Sequence, residues 1–311
     1  MNTAFVFPGQ GSQSVGMGKE LYENFSIAKN IFHEVDDSLG LTLSKIIFEG
    51  PLEDLTLTKN TQPALMATSI AFLAVILHES GKDIADLCKY VAGHSVGEYA
   101  ALTAAKSISI EDTAKLLKAR GLAMQNSSSG GAMAASLGLS IEALEEVVKA
   151  ANEYGICDIA NDNSSSQVVI SGEEQAIDFA IIKIKESGGK GIKLNVSGPF
   201  HSRLMKDAQN TMQRELGLVT IQEPVIPIVL NVTASESMGI DEIKASLVSQ
   251  VAGRVRWRET MQYLANKKID TIVEIGPGKV LNNMLKKESH SFNLINVGNI
   301  AELENFLGFI A

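Results

Sequence analysis

The apolar positions along the chain predict short buried strands that alternate with helices. Residues 3–7 are almost all apolar and are followed by Pro8, as expected of a buried strand that stops at a loop. Residues 63–78 form a longer apolar run, which predicts a mostly buried helix. Thr61 is its expected cap, and Pro63 stands where a first-turn proline is tolerated.

Two more elements follow in the same half of the chain. Residues 90–92 predict a short strand that runs into Gly93, with an alanine-rich helix beyond Gly97. Ser109 and the acidic residues after it are typical of a capped helix start. That helix carries Arg120 and is expected to end near Gln125.

After a small, polar linker at residues 126–131, the pattern changes to β-α-β-β-α-β, the ferredoxin-like order. The predicted strands are 132–138, 156–160, 168–171 and 191–196, and the predicted helices are 140–151 and 173–187. The rest of the chain returns to strands, at 226–231 and 271–275, alternating with helices. We therefore expect an α/β protein with a mostly parallel sheet covered on both faces and a small inserted domain.

Composition and charge exclude several classes of protein. The chain has 311 residues, 45% of them hydrophobic, and a formal net charge of −9, which argues against affinity for nucleic acid. Cys88 and Cys157 lie far apart without ligand residues around them, so neither a disulfide framework nor a metal site is expected. No signal peptide and no run of about 18 apolar residues is found, so we expect a cytoplasmic protein without a membrane span.

The best candidate for chemistry is the pentapeptide Gly93-His94-Ser95-Val96-Gly97, which fits G-x-S-x-G between a predicted strand and a predicted helix. A nucleophile at a sharp strand-to-helix turn needs small neighbours, which the flanking glycines supply. The helix N-terminus favours negative charge there, and the Val96 N–H is placed to donate to an oxyanion. The alternative is a tight turn that only packs the helix against the sheet.

A serine nucleophile needs a base, and the best candidate among the five histidines is His201. It lies in a loop between the inserted domain and a helix, where a base could be presented, although it could equally be an incidental loop residue. His33 and His290 fit surface positions, and His78 fits a helix end. His94 lies beside the serine, where strand geometry should turn its side chain away.

The glycine-rich turn after the first strand could aim backbone N–H groups into a cleft. Its Gly9-Gln10-Gly11 opens like a dinucleotide-binding loop, but Ser14 occupies the third glycine position and no acidic residue follows at the expected distance. A turn that supplies the second oxyanion donor, from Gln10, explains these glycines better.

Several segments share their sequences and their order with one protein family. They are residues 7–13 (FPGQGSQ), 61–65 (TQPAL), 93–99 (GHSVGEY), 167–172 (QVVISG), 199–201 (PFH) and 274–281 (EIGPGKVL). Together they resemble the malonyl-CoA:acyl-carrier-protein transacylases of bacterial type II fatty-acid synthesis, over essentially the whole chain. The resemblance implies an α/β-hydrolase-like large domain over residues 1–126 and 198–311, interrupted by a ferredoxin-like domain over residues 127–197.

The resemblance also implies roles for the candidate residues. Ser95 would become malonylated, His201 would be its base, and the backbone N–H groups of Gln10 and Val96 would hold the oxyanion. Arg120, which by pattern alone is a surface helix residue, would grip the free malonyl carboxylate with its planar fork.

Three further implications concern the walls of the site. The backbone carbonyl of Gln250 would orient the histidine, which explains why no acidic third member is found. Phe200, just before the histidine, would crowd a methyl on the α-carbon and so favour malonyl over methylmalonyl. A final group of residues in family-like segments could either line the cleft or satisfy backbone groups: Gln62, Glu98, Asn161 and Asn163.

The implied reaction carries a malonyl group from malonyl-CoA to the phosphopantetheine thiol of acyl carrier protein by ping-pong exchange, with no resident cofactor or metal. A serine esterase or thioesterase and a catalytically silent carrier-binding subunit are the alternatives. A monomer is expected. Because both partners would be acidic, docking needs a local basic patch, for which the candidates are Lys190, Lys193, Lys286, Lys287, Arg254, Arg256 and Arg258.

Overall fold

The computed structural model describes residues 2–127, 130–196, 198–286, 288 and 291–311. Part of the predicted linker, Lys287 among the docking candidates and His290 among the histidines lie outside these residues. The described strands, in chain order, are β1 (Thr3–Phe7), β2 (Tyr90–Gly93), β3 (Gly131–Leu137), β4 (Cys157–Ser164), β5 (Gln167–Glu173), β6 (Lys190–Lys193), β7 (Ile228–Val229), β8 (Glu236–Ser237), β9 (Thr271–Ile275) and β10 (Asn293–Val297).

The described helices surround these strands. They are α1 (Lys19–Asn24), α2 (Ser26–Leu39), α3 (Leu43–Glu49), α4 (Leu52–Thr56), α5 (Thr58–Ser80), α6 (Ile84–Leu87), α7 (Val96–Ala104), α8 (Ile110–Asn126), α9 (Ile141–Ala151), α10 (Glu174–Glu186), α11 (Lys206–Leu218), α12 (Ile240–Gln250), α13 (Trp257–Asn266), α14 (Val280–Leu285) and α15 (Ile300–Ile310).

The larger sheet has the strand order β10-β9-β1-β2-β7-β8 and is parallel except for β8, which confirms the predicted mostly parallel sheet. Every residue of β1 and of β9 is buried, because both faces of a central parallel strand are covered. The carboxyl ends of neighbouring parallel strands meet at one edge of such a sheet, which is where ligands bind in open α/β folds. The loops after β1, β2, β7 and β9 therefore converge there.

The smaller sheet has the order β4-β5-β3-β6 with all pairs antiparallel, which is the predicted ferredoxin-like arrangement. Its helices α9 and α10 pack on one face over a small apolar core of their own. Since side chains alternate along a strand, Ala132 and Ala134 enter this core, whereas Met133 and Ala135 face the opposite side. The division into two folding units at residues 127 and 197 stays a prediction.

A buried carboxylate ties the smaller sheet to α13 and the segment before it. Asp162 on β4 is fully buried in its side chain and receives Arg254 at 2.5 Å and Arg258 at 2.9 Å. Its backbone N–H donates to the Val255 carbonyl over 2.9 Å. These arginines therefore have structural partners, as does Arg256, which pairs with Glu259.

The structure corrects several predicted bounds. Helix α5 begins at Thr58, so Thr61 is not its cap, and Pro63 lies in its interior rather than its first turn. The Thr61 hydroxyl instead donates to the Leu55 carbonyl over 2.6 Å, because this buried helix start is fixed by contacts with the preceding turn. The predicted strand at residues 226–231 contains only β7, and β10 was not predicted.

Helix α5 is also long and apolar enough, by length and composition, to cross a membrane. However, 83% of its most apolar window is buried inside the protein. It is therefore the core helix of this fold, packed mainly against α8 and α2.

Candidate active site

Ser95 stands on the turn between β2 and α7, at the carboxyl edge of the larger sheet. Its backbone has φ 53° and ψ −108°, a conformation that non-glycine residues rarely adopt and that is typical of a nucleophile elbow. A Cβ on Gly93 would lie 2.0 Å from the Gly97 backbone, and one on Gly97 would lie 2.2 Å from the Phe7 carbonyl oxygen. Both glycines are thus required by close backbone contacts, as G-x-S-x-G predicted.

Asn231, in the loop after β7, holds this turn from the side. Its Oδ1 accepts from the Ser95 backbone N–H at 2.8 Å, and its Nδ2 donates to the Gly93 carbonyl at 2.7 Å. The side chain of Asn231 is fully buried, and its bond to Gly93 is buried with it. Asn231 therefore bridges the two residues on either side of His94 and fixes the strained turn.

His201 is the histidine that meets the serine. Its Nε2 lies 2.8 Å from Ser95 Oγ, and its Nδ1 lies 2.7 Å from the Gln250 backbone carbonyl. A carbonyl oxygen can only accept, so Nδ1 carries the proton and Nε2 is free to accept from the serine hydroxyl. The predicted pair and the predicted orienting carbonyl are thus found in contact.

Burial governs the protonation state of His201, which is 4% exposed. Desolvation, with a further contribution from the nearby Arg120 cation, lowers the pKa of His201 to about 3. The imidazole is therefore neutral near pH 7, the form that can accept a proton.

Arg120 is fully buried in the same cleft, although its pattern alone suggested a surface residue. It donates from Nη2 to Ser95 Oγ at 3.2 Å and to Gln250 Oε1 at 2.7 Å, and from Nη1 to Gln62 Oε1 at 2.9 Å. All three acceptors are uncharged, and the buried carboxylate of Glu98 acts on the Arg120 charge from behind Gln250, which hydrogen-bonds to both side chains. Gly121 makes this placement possible, since a Cβ there would lie 2.5 Å from the Thr58 carbonyl oxygen of α5.

A buried cation without a carboxylate in direct contact is costly, and burial lowers the pKa of Arg120 against the opposing effects of Tyr99 and Glu98. Its Nε is also without a hydrogen-bond partner among the described residues. Such a group is a ready binding site for an anion that enters the cleft.

The side chain of Gln250 has a role beyond its carbonyl. Its Nε2 donates to the Ser95 carbonyl at 2.9 Å and to Glu98 Oε2 at 2.5 Å, while its Oε1 accepts from Arg120. Glu98 is itself fully buried, and its other oxygen accepts from the Asn231 backbone N–H at 3.2 Å. Burial raises the pKa of Glu98 to about 7 against these hydrogen bonds, which favour its charged form. Glu98, Asn231 and Gln250 thus form one network behind the serine.

Asn231 was not predicted as a site residue from the sequence, and the roles of Gln62 and Glu98 were left open between lining the cleft and satisfying backbone groups. The signal for Asn231 was available, since it is the last residue of the predicted strand 226–231, at a sheet edge where parallel strands end. Glu98 was visible as an acidic residue in the first turn of an otherwise apolar helix. Its pairing with Gln250 was not visible, because 152 residues separate them.

The predicted oxyanion donors, Gln10 and Val96, both border the cavity that Ser95 lines. Val96 begins α7, and the first N–H groups of a helix have no partner within it. Gln10 follows β1 in the glycine-rich turn and borders the same cavity as Ser95. Both positions agree with the roles expected from the sequence, which stay predictions.

The cavity above Ser95 has a volume of about 240 Å³ and lies between the two sheets. Phe200, 6% exposed, forms part of its wall. The rest of the wall is mostly apolar and comes largely from the smaller sheet and α14: Met133, Ala135, Val169, Leu194, Val196, Val280, Leu281 and Met284. Such a shape suits a slender, partly apolar ligand that ends at the serine.

His94 is directed to a partner other than the serine hydroxyl, in line with its prediction: its Nε2 lies 2.8 Å from Asn163 Oδ1. The residue nevertheless borders the same cavity as Ser95. The ring also packs edge-on against Trp257 at 5.6 Å. His94 therefore links the elbow to the smaller sheet rather than to the serine hydroxyl.

Comparison with known proteins finds relatives over the whole length. Residues 4–304 match the model of the acyl transferase domain family. The malonyl CoA-acyl carrier protein transacylase of Bacillus subtilis (strain 168) is 42% identical over 305 residues, which cover 97% of this chain and 95% of that protein.

Solved structures agree with this likeness. The acyl-carrier-protein-S-malonyltransferase from Bartonella henselae is 45% identical with a TM-score of 0.97, covering 100% of this chain and 99% of that one. A malonyl-transacylase solved in complex with its type II PKS acyl-carrier protein is 35% identical with a TM-score of 0.95, covering 99% of this chain and 100% of that one.

Proposed function

The chain belongs to the malonyl CoA-acyl carrier protein transacylase family, and from that premise we propose how it works. It transfers a malonyl group from malonyl-CoA to the phosphopantetheine thiol of acyl carrier protein, through an ester on Ser95. The observation that carries this function is the buried Arg120, whose Nη2 lies 3.2 Å from Ser95 Oγ. A neutral acyl group would leave this cation without a carboxylate in direct contact, whereas the malonyl carboxylate supplies one.

In the first half-reaction, Ser95 Oγ attacks the thioester carbonyl carbon while His201 Nε2 accepts the hydroxyl proton. The N–H groups of Gln10 and Val96 stabilise the oxyanion that forms. When the tetrahedral intermediate collapses, the carbon–sulfur bond breaks and coenzyme A leaves as its thiol with the proton from His201. A malonyl ester on Ser95 remains.

The second half-reaction reverses these steps with a different thiol. The phosphopantetheine thiol gives its proton to His201 and attacks the ester carbonyl. The carbon–oxygen bond to Ser95 then breaks, and His201 returns the proton to the serine oxygen. Because one product leaves before the second substrate reacts, the kinetics are ping-pong.

Gln250 would act through its neighbours in both half-reactions. Its carbonyl keeps the proton on His201 Nδ1, and its side chain holds Arg120 and the Ser95 backbone. This arrangement replaces the acidic third member found in many serine hydrolases. The proposed catalytic unit is therefore a Ser95–His201 dyad whose histidine is oriented by a neutral carbonyl.

The carrier protein is the partner of a relative solved in complex with one, and we extend that partnership to this chain. Among the docking candidates, Lys193 is paired with Glu174 and Asp178, so it is a poor docking residue. Lys190 is exposed and better suited to an acidic partner. A monomer and a cytoplasmic location stay our expectations.

The test is intact-protein mass spectrometry after mixing the protein with malonyl-CoA and no carrier. The wild type should gain one malonyl mass, Ser95→Ala should gain none, and holo-acyl carrier protein should discharge the adduct. Hydrolysis of malonyl-CoA without an adduct would replace the transferase with a thioesterase. No reaction at all would favour a silent carrier-binding subunit.

A further inference from the structure

Gln62 on α5 faces Arg120 across the cleft, and its amide orientation is fixed by that contact. A guanidinium only donates, so the atom that faces Arg120 Nη1 at 2.9 Å must be the amide oxygen Oε1. The amide nitrogen Nε2 is therefore the end that does not face Nη1. Its hydrogen-bond partner among the described residues is the sulfur of Met124 at 3.6 Å, in the wall of the cavity that Gln62 and Arg120 also border.

That partner leaves the Gln62 nitrogen poorly satisfied. A thioether sulfur is a weak acceptor, and it can take only one of the two amide hydrogens. Gln62 is 1% exposed and borders the cavity above Ser95, so bulk water does not supply an acceptor for the other amide hydrogen. A buried amide donor that borders a binding cavity is expected to have a partner when the cavity is filled.

The same cleft holds the guanidinium of Arg120, whose hydrogen bonds go to uncharged acceptors. Of the five N–H donors of a guanidinium, three have partners among the described residues and the Nε donor has none. A carboxylate has two oxygens and accepts from several donors at once. The N–H groups of Arg120 and Gln62 that lack a strong acceptor thus belong to residues that border the same buried cavity.

We propose that Gln62 Nε2 is a second donor to the free carboxylate of the acyl group and that Gln62 sets specificity for acyl groups carrying a terminal carboxylate. This inference rests on the proposed function, which it deepens by assigning a residue to acyl selection. Gln62 holds Arg120 through its oxygen and donates to the same carboxylate through its nitrogen. Neutral acyl groups gain nothing from that donor, so its contribution is selective.

The first variant is Gln62→Met, which keeps the length of the side chain and removes both polar atoms. A hydrogen bond to a charged group supports an expected loss of about 10- to 100-fold in kcat/KM for malonyl-CoA. For acetyl-CoA, the rate of Ser95 acylation should change less than about threefold. Both rates are measured by intact-protein mass spectrometry after rapid quenching.

The second variant is Gln62→Glu, which keeps the shape but adds a charge beside Arg120. Its carboxylate would pair with Arg120 and repel the malonyl carboxylate. The value of kcat/KM for malonyl-CoA should therefore fall further than in Gln62→Met. Acetyl-CoA should be affected less than malonyl-CoA by this change as well. A reversed preference between the two substrates would be the strongest support.

Asn60 provides a matched control on the same two helices. Its Oδ1 accepts from Lys118 Nζ at 3.0 Å, two residues before the Gln62–Arg120 pair on each helix, and Asn60 does not border the cavity. Asn60→Ala therefore removes a contact between α5 and α8, together with the Asn60 Nδ2 bond to the Asp54 carbonyl, at a position outside the cavity wall. It should retain the wild-type ratio of malonyl to acetyl rates.

Equal losses for malonyl-CoA and acetyl-CoA in Gln62→Met would overturn the inference, because they would indicate a structural role only. Unchanged malonylation would overturn it too. Both of these results concern the Gln62→Met variant only. If the wild type is malonylated normally, they do not contradict the proposed function. A wild type that forms no malonyl adduct would instead remove the proposed function.

A measurement without catalysis separates binding from chemistry. In a Ser95→Ala background, malonyl-CoA should bind about 10-fold more weakly when Gln62 is also changed to methionine. Binding of acetyl-CoA should be the same in both proteins. Titration calorimetry gives both values, and equal weakening of the two ligands would contradict the inference.

Discussion

The backbone N–H of Ser95 donates to the side-chain oxygen of Asn231 over 2.8 Å, and the amide nitrogen of Asn231 donates to Gly93 over 2.7 Å. One buried amide thus holds both ends of the turn that presents the serine. Because Ser95 has φ 53°, this turn needs support from its surroundings. The support comes from a loop 136 residues further along the chain.

Asn231→Ala should slow acylation of Ser95 while leaving substrate binding nearly intact. Without the clamp the serine oxygen shifts relative to His201, and a shift of about 1 Å can cost about 100-fold in rate. We expect kcat to fall about 10- to 100-fold with little change in KM. The free energy of unfolding should fall by about 1–3 kcal/mol, because buried donors lose their acceptor.

The control for this change is Asn266→Ala, at an exposed position at the end of α13. It should leave both kcat and stability unchanged. A rise in KM without a fall in kcat in Asn231→Ala would contradict a positioning role, since it would indicate a loss of substrate contacts instead.

Arg120→Ala should abolish the preference for a carboxylated acyl group. We expect kcat/KM for malonyl-CoA to fall by about 100- to 1,000-fold, because a charge-assisted fork of hydrogen bonds is lost. Arg120→Lys should recover little of it, since an ammonium cannot hold both oxygens in a plane. Steady-state assays with holo-acyl carrier protein measure the loss.

Acetyl-CoA and neutral esters provide the comparison for Arg120→Ala. An esterase would keep its activity on neutral esters in this variant, with no special loss on malonyl-CoA. The exposed Arg214→Ala is the matched surface substitution and should behave as wild type. If Arg120→Ala malonylates normally, Arg120 does not bind the carboxylate.

Phe200→Ser should widen substrate choice at the α-carbon. The buried ring borders the cavity beside His201, so its removal makes room for a methyl group. A pocket discriminates a single added methyl by about 10- to 200-fold, and we expect the ratio of methylmalonyl to malonyl rates to rise about 10-fold. Competition between the two thioesters, read as adduct mass on Ser95, measures the ratio directly.

Phe200→Leu is the companion variant, because it keeps an apolar side chain of intermediate size. It should give an intermediate ratio. If both variants keep the wild-type ratio while their total rates fall, Phe200 supports the site without selecting the acyl group.

Burial of His201 should make the free energy of unfolding decrease as the pH is lowered. The pKa of His201 is about 3 in the folded protein, and the ordinary value of 6.5 applies to the unfolded chain. Between these values the unfolded chain binds a proton that the folded protein does not, so acidification from pH 6.5 towards 3 favours unfolding. The slope from this one group is at most about 1.4 kcal/mol per pH unit.

His201→Gln removes this titration and should show a shallower loss of stability between pH 6.5 and 4. Denaturant unfolding at several pH values gives the two slopes. Burial also lowers the pKa of His94, so some acid sensitivity should remain in the variant. Equal slopes in the two proteins would mean that His201 is protonated in the folded state at these pH values.

Much of the fold followed from local pattern because its elements are short and sharply bounded. The ferredoxin-like order was predictable since turn residues separate most of the strands and helices between residues 131 and 193, although β5 runs directly into α10. The two-residue strand β7 and the extended bounds of α5 were not predictable in this way. Their limits depend on contacts with distant segments, such as the pairing of β7 with β2.

The sequence by itself determined the elbow around Ser95, because glycines at 93 and 97 are needed wherever a strand turns so sharply into a helix. The sequence also indicated His201 as the best candidate for the general base. Through the family resemblance, it indicated Arg120 as the residue that binds the malonyl carboxylate. Only the tertiary structure decided that Arg120 is buried without a carboxylate and that Asn231, Glu98 and Gln250 support the serine from behind. Those contacts join residues far apart in the chain, and side-chain direction between distant segments is set by packing rather than by any local sequence pattern.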